Sequence, residues 1–203
     1  MSIHELHTGA TPFPIGPVPH RFTVERYHEM IEKGILTKDD RVELIEGQIL
    51  EMSPIGSPHR FVVFQIYEAL RAVVGPQWTI YVQSPVTLPG SEPEPDISVV
   101  RGTYANYKSR HPGPDEIALL IEVADSSLAA DRLLKGQVYA AAGVPEYWIV
   151  NLAERQIEVY RNPRLDRAEA SYESRQDFSA SEKVPLALGG RLLGEIAVEK
   201  ILP

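Results

Sequence analysis

The pattern of apolar and polar positions in the first third of the chain predicts two helices with a hairpin between them. Apolar residues recur at helical spacing in 24–31 and again from about 58 to 74. Between these segments, 41–45 and 48–52 alternate in polarity and flank a glycine-containing turn, which is the pattern of two paired strands. The chain is therefore predicted to begin as helix, β-hairpin, helix.

Two nearly continuous apolar runs in the middle of the chain predict neighbouring buried strands. The first, 97–100, follows Asp96, and the second, 117–121, ends at Glu122. A helix is predicted after them, capped by Ser126 or Ser127 and ending near Ala142. Further elements are predicted as strands at 78–81, 86–88, 147–150 and 156–160, a loop at 104–115 and an irregular segment at 162–183.

The order of these elements predicts an α/β or mixed α+β fold, with a mixed central sheet flanked by helices. A chain of 203 residues, 43% of them hydrophobic, is expected to form one domain at 21–203. Residues 1–20 are expected to be an extended, flexible leader, because four prolines and two glycines occur between Thr8 and Pro19. No apolar run reaches the ~18 to 20 residues of a membrane span or resembles a signal peptide, so a cytoplasmic protein without a membrane partner is expected.

The composition limits the chemistry that the chain can perform. The absence of cysteine excludes disulfides, thiolate metal sites and cysteine nucleophiles, so a metal ion must be bound by oxygen or imidazole ligands. The net charge of -8 argues against nonspecific coating of nucleic acid, although basic clusters at 108–111 and 161–167 would allow a local basic rim. A nuclease therefore remains compatible with the composition.

Asp96 and Glu122 are the first candidates for a catalytic site. If they lie side by side, two negative charges ~4 Å apart repel by about 4 kcal/mol at an effective dielectric constant of about 20. A divalent ion between the two carboxylates would remove that repulsion, which favours binding of the ion. The carbonyl oxygen of Val123 would add a ligand. Oxygen ligands of this kind favour Mg²⁺ or Mn²⁺. Each acid alone, however, is more commonly a turn or surface residue.

Four further side chains are candidates for supporting roles. Lys135 would stand beside a metal-bound water, and Glu43 on the first hairpin strand would serve as an outer ligand or general base. His59 at the start of the long helix and Tyr139 are auxiliary candidates. Lys135 also has an ordinary explanation as a surface partner of Asp131, four residues earlier. The core face of that helix is predicted to consist of Leu133, Leu134, Val138 and Ala141, and the other histidines show no metal-ligand spacing.

Several sequence segments together resemble a known family. They are Arg41 to Gly47, Met52-Ser53-Pro54 with His59, Pro95 to Val100, Ile121-Glu122-Val123, and Tyr139 followed by Gly143 to Val150. This sequence resembles the Uma2-like endonucleases, formerly a domain of unknown function, over roughly Phe22 to Tyr160. That family is similar to the PD-(D/E)xK nuclease superfamily, whose restriction-endonuclease-like core is a mixed sheet flanked by helices.

The resemblance implies Mg²⁺-dependent DNA cleavage, with Asp96 as the first acid of the superfamily motif and Glu122 as the second. One position departs from the motif, because the lysine expected two residues after the second acid is Ala124. In this interpretation the lysine has moved to the following helix, where Lys135 and Tyr139 resemble the glutamine and tyrosine of recombination-type nucleases.

Three hypotheses follow from these residues. The first is a Mg²⁺- or Mn²⁺-dependent DNA endonuclease, and the second is a catalytically inactive relative that uses the nuclease fold as an interaction module, which Ala124 and the acidic composition favour. The third is hydrolysis of another phosphate ester by the same chemistry. A homodimer is also expected, because strands such as 156–160 are predicted to be exposed and because nucleases that cut duplexes are generally symmetric.

Overall fold

The computed structural model describes residues 19–164 and 170–203. The predicted leader, 1–20, lies outside the described residues except for its last two, so the division into a leader and one domain stays a prediction. The helices are α1 (Val24–Glu32), α2 (Ser57–Arg71), α3 (Leu128–Ala130) and α4 (Gly136–Ala141). The strands are β1 (Val42–Ile45), β2 (Gln48–Glu51), β3 (Trp78–Val82), β4 (Ile97–Arg101), β5 (Ile117–Ala124), β6 (Glu146–Asn151), β7 (Gln156–Arg164), β8 (Ser171–Ser179), β9 (Lys183–Leu188) and β10 (Arg191–Ala197).

Six strands form the central sheet in the order β3-β4-β5-β6-β7-β8. The pair β5 and β6 is parallel and the other neighbours are antiparallel, so the sheet is mixed as predicted. The parallel pair requires a crossover, which the helical segment 128–141 provides. The predicted fold class is therefore confirmed.

The sheet separates two apolar cores. Alternate residues of β5 point to opposite faces, so Ile121 and Val123 pack with α2, β9 and β10, whereas Leu120 and Ala124 pack with α4 and β1. Glu122 lies between Ile121 and Val123 and shares the second face with Leu120 and Ala124. The strand periodicity thus directs a buried carboxylate towards segment 128–141.

The hairpin of β1 and β2 is attached to the segment that leads into β4. The backbone amide of Glu92 donates to the Leu44 carbonyl at 2.7 Å, and the Leu44 amide donates back at 3.3 Å. The positive φ values of Glu46 and Gly47, 47° and 74°, form the turn. Glu43, next to Leu44, is thereby held close to the start of β4.

The helical segment 128–141 is continuous but contains a π-helical turn at Asp131–Lys135 between α3 and α4. The Asp131 carbonyl accepts from the Gly136 amide, five residues later, and from the Tyr147 hydroxyl at 3.2 Å. Ser127 occupies the predicted cap position, but its hydroxyl donates to the Asp131 side chain at 2.6 Å instead of capping the backbone. Such π turns occur frequently at functional sites.

Two predictions about regular structure are wrong. The segment 162–183, expected to be irregular, contains all of β8 and the end of β7. Residues 86–88, expected to be a strand, contribute only a single bridge, between Leu88 and Ser91. The expected loop at 104–115 is a loop that contains short 3₁₀ turns. The strand at 156–160 lies between β6 and β8 and is largely buried, so it does not offer the exposed edge from which a homodimer was inferred.

Within the described ranges, no helix is long and apolar enough to cross a membrane.

Candidate functional site

A cleft of about 550 Å³ opens beside the carboxyl-terminal end of β5. The β-hairpin, the start of α2 and the π-containing helical segment enclose it. Six acidic side chains line the cleft, together with Lys135 and two arginines, Arg41 and Arg60. The acids are Glu43, Glu51, Glu94, Asp96, Glu122 and Asp131. Negative charge therefore exceeds permanent positive charge in this cleft.

Asp96 is a buried carboxylate at the start of β4, held by three partners. One oxygen accepts the backbone amide of Val123 at 2.8 Å, which links the entrance of β4 to the end of β5. His59 Nε2 lies 2.9 Å from the same oxygen, and the Gln83 side-chain amide donates to the other oxygen at 3.2 Å. The Asp96 carboxylate is thus oriented before any ligand arrives.

Glu122 lies on the neighbouring strand and is 4% exposed. Its Oε1 atom accepts from Lys135 Nζ at 3.0 Å and from the Tyr139 hydroxyl at 2.7 Å. Burial raises the pKa of Glu122 to about 8; the Lys135 ammonium opposes this shift, and the carboxylates of Asp131 and Asp96 add to it. A buried acid with a raised pKa in a cleft is typical of functional sites.

Lys135 bridges two of the acids. Its ammonium lies 3.0 Å from Glu122 and 3.3 Å from Glu43. Burial alone would lower the pKa of Lys135, but the attraction of the neighbouring carboxylates outweighs it and raises the pKa above its usual value. Lys135 therefore carries a positive charge at neutral pH.

Two further acids increase the negative charge of the cleft. Burial raises the pKa of Asp131, although a hydrogen bond from Ser127 opposes the shift. Burial and then the nearby Glu43 raise the pKa of Glu94, whose backbone amide donates to the Glu43 carboxylate at 3.2 Å. An ion of opposite charge would relieve the repulsion that these groups share.

Ala124 points to the same face as Glu122 and is fully buried in the second core. A lysine there would have to place its ammonium among apolar side chains. The ammonium that meets Glu122 comes instead from the π turn, where Asp131 and Lys135 both line the cleft. The lysine that contacts Glu122 therefore lies on the helical segment, and its catalytic role stays a prediction.

The seven site residues predicted from the sequence lie in one region of the structure. Those that line the cleft are Glu43, His59, Asp96, Glu122, Val123 and Lys135, whereas Tyr139 lies fully buried beneath Glu122. Sequence reasoning missed Gln83 and Glu94. Glu94 precedes Asp96 by two residues, and side chains two residues apart in an extended chain point to the same side, so the sequence did contain a signal for Glu94. No local sequence feature identifies Gln83.

The predicted core face of segment 128–141 is partly wrong. Val138 is buried, but Leu133 is 74% exposed and Leu134 is 37% exposed. Asp131 and Tyr139 occupy the inner side, because the charged and hydroxyl groups around Glu122 provide partners for them.

A second group of potential metal ligands lies in a neighbouring cavity. His28, Glu92 and His111 each offer one ligand atom, and these atoms lie within 4.8 Å of one another. His28 and Glu92 are separated by 64 residues. Sequence spacing therefore could not reveal this group.

Comparison with known proteins places the geometry in context. Residues 24–192 match the model of the Uma2 family, described as "Putative restriction endonuclease". The chain belongs to the Uma2 family. A solved structure described as a putative nuclease belonging to DUF820, from Anabaena variabilis ATCC 29413, superposes with a TM-score of 0.64 at 16% sequence identity. The match covers 89% of this chain and 97% of that chain, which shows that the two chains share a fold.

No curated protein matches this chain at a significant level. Membership of the Uma2 family supports a nuclease-like function, and the structural match supports the fold.

Proposed function

We propose that this chain is a divalent-metal-dependent DNA endonuclease that hydrolyses phosphodiester bonds. The observation that carries the proposal is the convergence of Asp96, Glu122 and Lys135, from two strands and a helix, on one acidic cleft. Membership of a family described as restriction endonucleases supports the same reaction class.

The residues of the cleft fit a hard divalent cation such as Mg²⁺ or Mn²⁺. Carboxylate oxygens of Asp96 and Glu122 and the Val123 carbonyl are the ligand types that these ions prefer. Within residues 19–164 and 170–203, the acids of this cleft do not form a group of three ligand atoms within 4.8 Å of one another. Two protein carboxylates suffice nevertheless, since Mg²⁺ retains several waters and takes oxygens from a substrate phosphate. When bound, the ion would act as a Lewis acid and lower the pKa of a water molecule.

Lys135 supplies the fixed positive charge of the proposed reaction. Its ammonium, held between Glu43 and Glu122, would stabilise the negative charge that develops on the phosphoryl oxygens. Because Glu43 and Glu122 already position the ammonium, little reorganisation would be required as the reaction proceeds. Glu43 would orient Lys135 or accept a proton from water.

His59, Gln83 and Tyr139 act as positioning residues in this proposal. His59 and Gln83 fix the two oxygens of Asp96, and Tyr139 fixes Oε1 of Glu122. Nδ1 of His59 is buried and lacks a hydrogen-bond partner among the described residues, so Nε2 is the ring atom that positions Asp96. Hydrogen bonds behind metal ligands commonly tune affinity by roughly 10- to 100-fold.

DNA is proposed as the substrate in spite of the net charge of -8. Arg41 and Arg60 line the cleft and provide phosphate contacts. In the predicted basic rim, Arg110 is paired with Glu116 and Arg161 with Glu146, which leaves these two arginines less charge for phosphate contacts. Residues 165–169 of that rim lie outside the described residues. Binding is therefore expected to be weak without the metal ion.

Cleavage of supercoiled plasmid DNA tests the proposal. Purified protein should nick the plasmid with Mg²⁺ or Mn²⁺, and Asp96→Asn should reduce the rate by at least roughly 10²-fold because a metal ligand is lost. Asp39→Asn is the matched control, since Asp39 is exposed and lies outside the cleft. Equal cleavage by wild type and Asp96→Asn would refute the proposal.

Calorimetry separates the rival interpretations. A divalent ion at 100 times its dissociation constant should stabilise the protein by about 2.7 kcal/mol. If neither cleavage nor a metal-dependent shift of the melting temperature occurs, the catalytically inactive interaction module is the better interpretation. A metal-dependent shift combined with hydrolysis of only small phosphodiesters would favour the third hypothesis.

The homodimer and the cytoplasmic location stay predictions. Sedimentation equilibrium with and without a short DNA duplex measures the oligomeric state. A monomer under both conditions would contradict the predicted homodimer.

A further inference from the structure

A second cavity, of about 730 Å³, lies beside the cleft and shares Arg41, Met52 and Glu94 with its lining. Three potential ligands meet in this cavity from separate parts of the chain. His28 comes from α1, Glu92 from the segment before β4, and His111 from the segment between β4 and β5.

The Glu92 carboxylate is the fixed centre of this group. Its side chain is 3% exposed, and its Oε2 atom accepts from the Thr87 hydroxyl at 2.8 Å. His28 Nε2 lies 2.7 Å from Oε1, and His111 Nε2 lies 3.9 Å from the same oxygen. The two imidazole rings are 6.1 Å apart between centroids and meet edge to face.

The backbone around the three ligands is held independently of them. Glu92 pairs with Leu44 of β1, and the Thr87 amide donates to the Pro112 carbonyl at 2.9 Å, which fixes the segment next to His111. A preformed arrangement of this kind lowers the ordering cost of binding an ion.

We propose that His28, Glu92 and His111 form a zinc site distinct from the acidic cleft. Two imidazole nitrogens and one carboxylate are an established zinc ligand set, which leaves a fourth position for water or a substrate group. Mg²⁺ is disfavoured here, because it prefers oxygen ligands, whereas the acids of the cleft favour Mg²⁺ over zinc. Both histidine side chains are about two-fifths exposed, at 40% and 41%, so an ion can enter from solvent.

The ion would clamp α1 and the segment around His111 onto the chain that leads to Asp96. Glu94, two residues after Glu92, lines both cavities, so the clamp lies directly beside the cleft. The site does not depend on the proposed nuclease activity, because none of its three ligands belongs to the catalytic set.

The ordinary alternative is an ion pair between a protonated His28 and Glu92, without a metal. Both arrangements use Nε2 of His28 and the carboxylate of Glu92, so they differ in whether a metal ion binds.

Metal titration of the full chain distinguishes these alternatives. Protein stripped with a chelator and dialysed against Zn²⁺ should retain one zinc per chain by elemental analysis and melt at a higher temperature than the stripped protein. Co²⁺ in place of zinc should give the visible absorption of a four-coordinate site with nitrogen and oxygen ligands.

Four variants locate the ion. His111→Ala should lose the retained zinc, and it should fold because the His111 side chain is partly exposed. The control is His20→Ala, which should keep the zinc because His20 is exposed and lies outside the group. Thr87→Val, which removes only the hydrogen bond behind Glu92, should weaken zinc binding by roughly 10- to 100-fold. Asp96→Asn should keep one zinc, which separates this site from the catalytic cleft.

Two outcomes would overturn the inference. One is a wild-type protein that retains no zinc and shows no shift of the melting temperature, which would leave the ion pair as the explanation. The other is a zinc content that His111→Ala leaves unchanged and Asp96→Asn abolishes, which would assign the ion to the cleft.

Discussion

Glu122 and Glu158 are two buried glutamates in the same row of the central sheet, and their surroundings differ sharply. Glu122 on β5 pairs in register with Ile149 on β6, which pairs in turn with Glu158 on β7. Both contact the same helical segment, Glu122 through Lys135 and Glu158 through Arg132. Their positions are equivalent, but their charges are compensated to different extents.

Both carboxylate oxygens of Glu158 have hydrogen-bond partners, and its negative charge is paired with arginine. Arg132 binds both of its oxygens, Asn151 and Tyr160 donate at 2.9 and 2.7 Å, and Arg175 lies 3.3 Å away. Burial alone would raise the pKa of Glu158, but these hydrogen bonds and the charge of Arg175 lower it to about 2. Glu158 is therefore a structural anion.

Glu122 shares its single ammonium with Glu43 and lies near Asp96 and Asp131. Its pKa is raised to about 8 rather than lowered. A buried carboxylate whose neighbours leave negative charge uncompensated is thus a candidate for a functional role. A buried carboxylate whose charge is compensated by its neighbours has a structural role.

The largest expected contrast comes from replacing each glutamate by glutamine. Glu122→Gln should reduce DNA cleavage by at least roughly 10²-fold and change the free energy of unfolding little, since the folded protein already favours the protonated form. Glu158→Gln should lower the free energy of unfolding by about 2 to 3 kcal/mol, because it leaves Arg132 only the more distant carboxylate of Glu154, 3.8 Å away. This value is below that of a fully buried pair, since Arg132 is 29% exposed.

Chemical denaturation and plasmid cleavage measure both variants under the same conditions. Glu158→Gln should cleave at the wild-type rate per folded molecule. The comparison fails if Glu158→Gln loses catalysis while remaining folded, or if Glu122→Gln destabilises as strongly as Glu158→Gln.

The second expected effect is a dependence of stability on pH. The folded protein keeps a proton on Glu122 up to about pH 8, whereas an unperturbed glutamate loses it near pH 4.5. The free energy of unfolding of the metal-free protein should therefore fall as the pH rises through this interval, by on the order of 1 kcal/mol per pH unit. Addition of Mg²⁺ at pH 8 should restore stability.

Urea denaturation between pH 5 and pH 8 measures this slope. Glu122→Gln should reduce the slope, and the remainder is assigned to Asp131 and Glu94, whose pKa values are also raised. An unchanged slope in Glu122→Gln would contradict the assignment.

The smallest expected effect concerns the hydroxyl behind Glu122. Tyr139→Phe should cost about 1 kcal/mol of stability and weaken Mg²⁺ binding by roughly 10-fold, because the hydrogen bond that orients Oε1 is lost. Tyr172→Phe is the matched control, since its hydroxyl donates to the Val144 carbonyl at 3.0 Å. Isothermal titration calorimetry should find weaker Mg²⁺ binding in Tyr139→Phe alone; equal affinities in the two variants would remove Tyr139 from the site.

Local patterns predicted the elements that carry the site. Thr23 caps α1 by accepting the Arg26 amide at 3.2 Å, and the strands beside Asp96 and Glu122 pair as expected. The strand β8 was missed because its sequence is mostly polar and exposed, so pairing with β7 rather than burial of an apolar face defines it.

The inner side of segment 128–141 could not be read from hydrophobicity. Leu133 is exposed while Asp131 is buried, because a hydrogen bond from Ser127 satisfies the acid within a π turn. Which side of the helix is buried depends on contacts with residues distant in sequence. The periodicity of one helix contains no information about those residues.

The sequence by itself determined which residues could bind an oxygen-ligand metal and which strands would carry them, since period-two alternation and the lack of cysteine are local properties. Only the tertiary structure decided which charges meet: Lys135 with Glu122 and Glu43, Arg132 with Glu158, and His28 with Glu92 and His111. The reason is that electrostatic interactions depend on distance and burial in space, and both are set by how the sheet and its crossover helix pack.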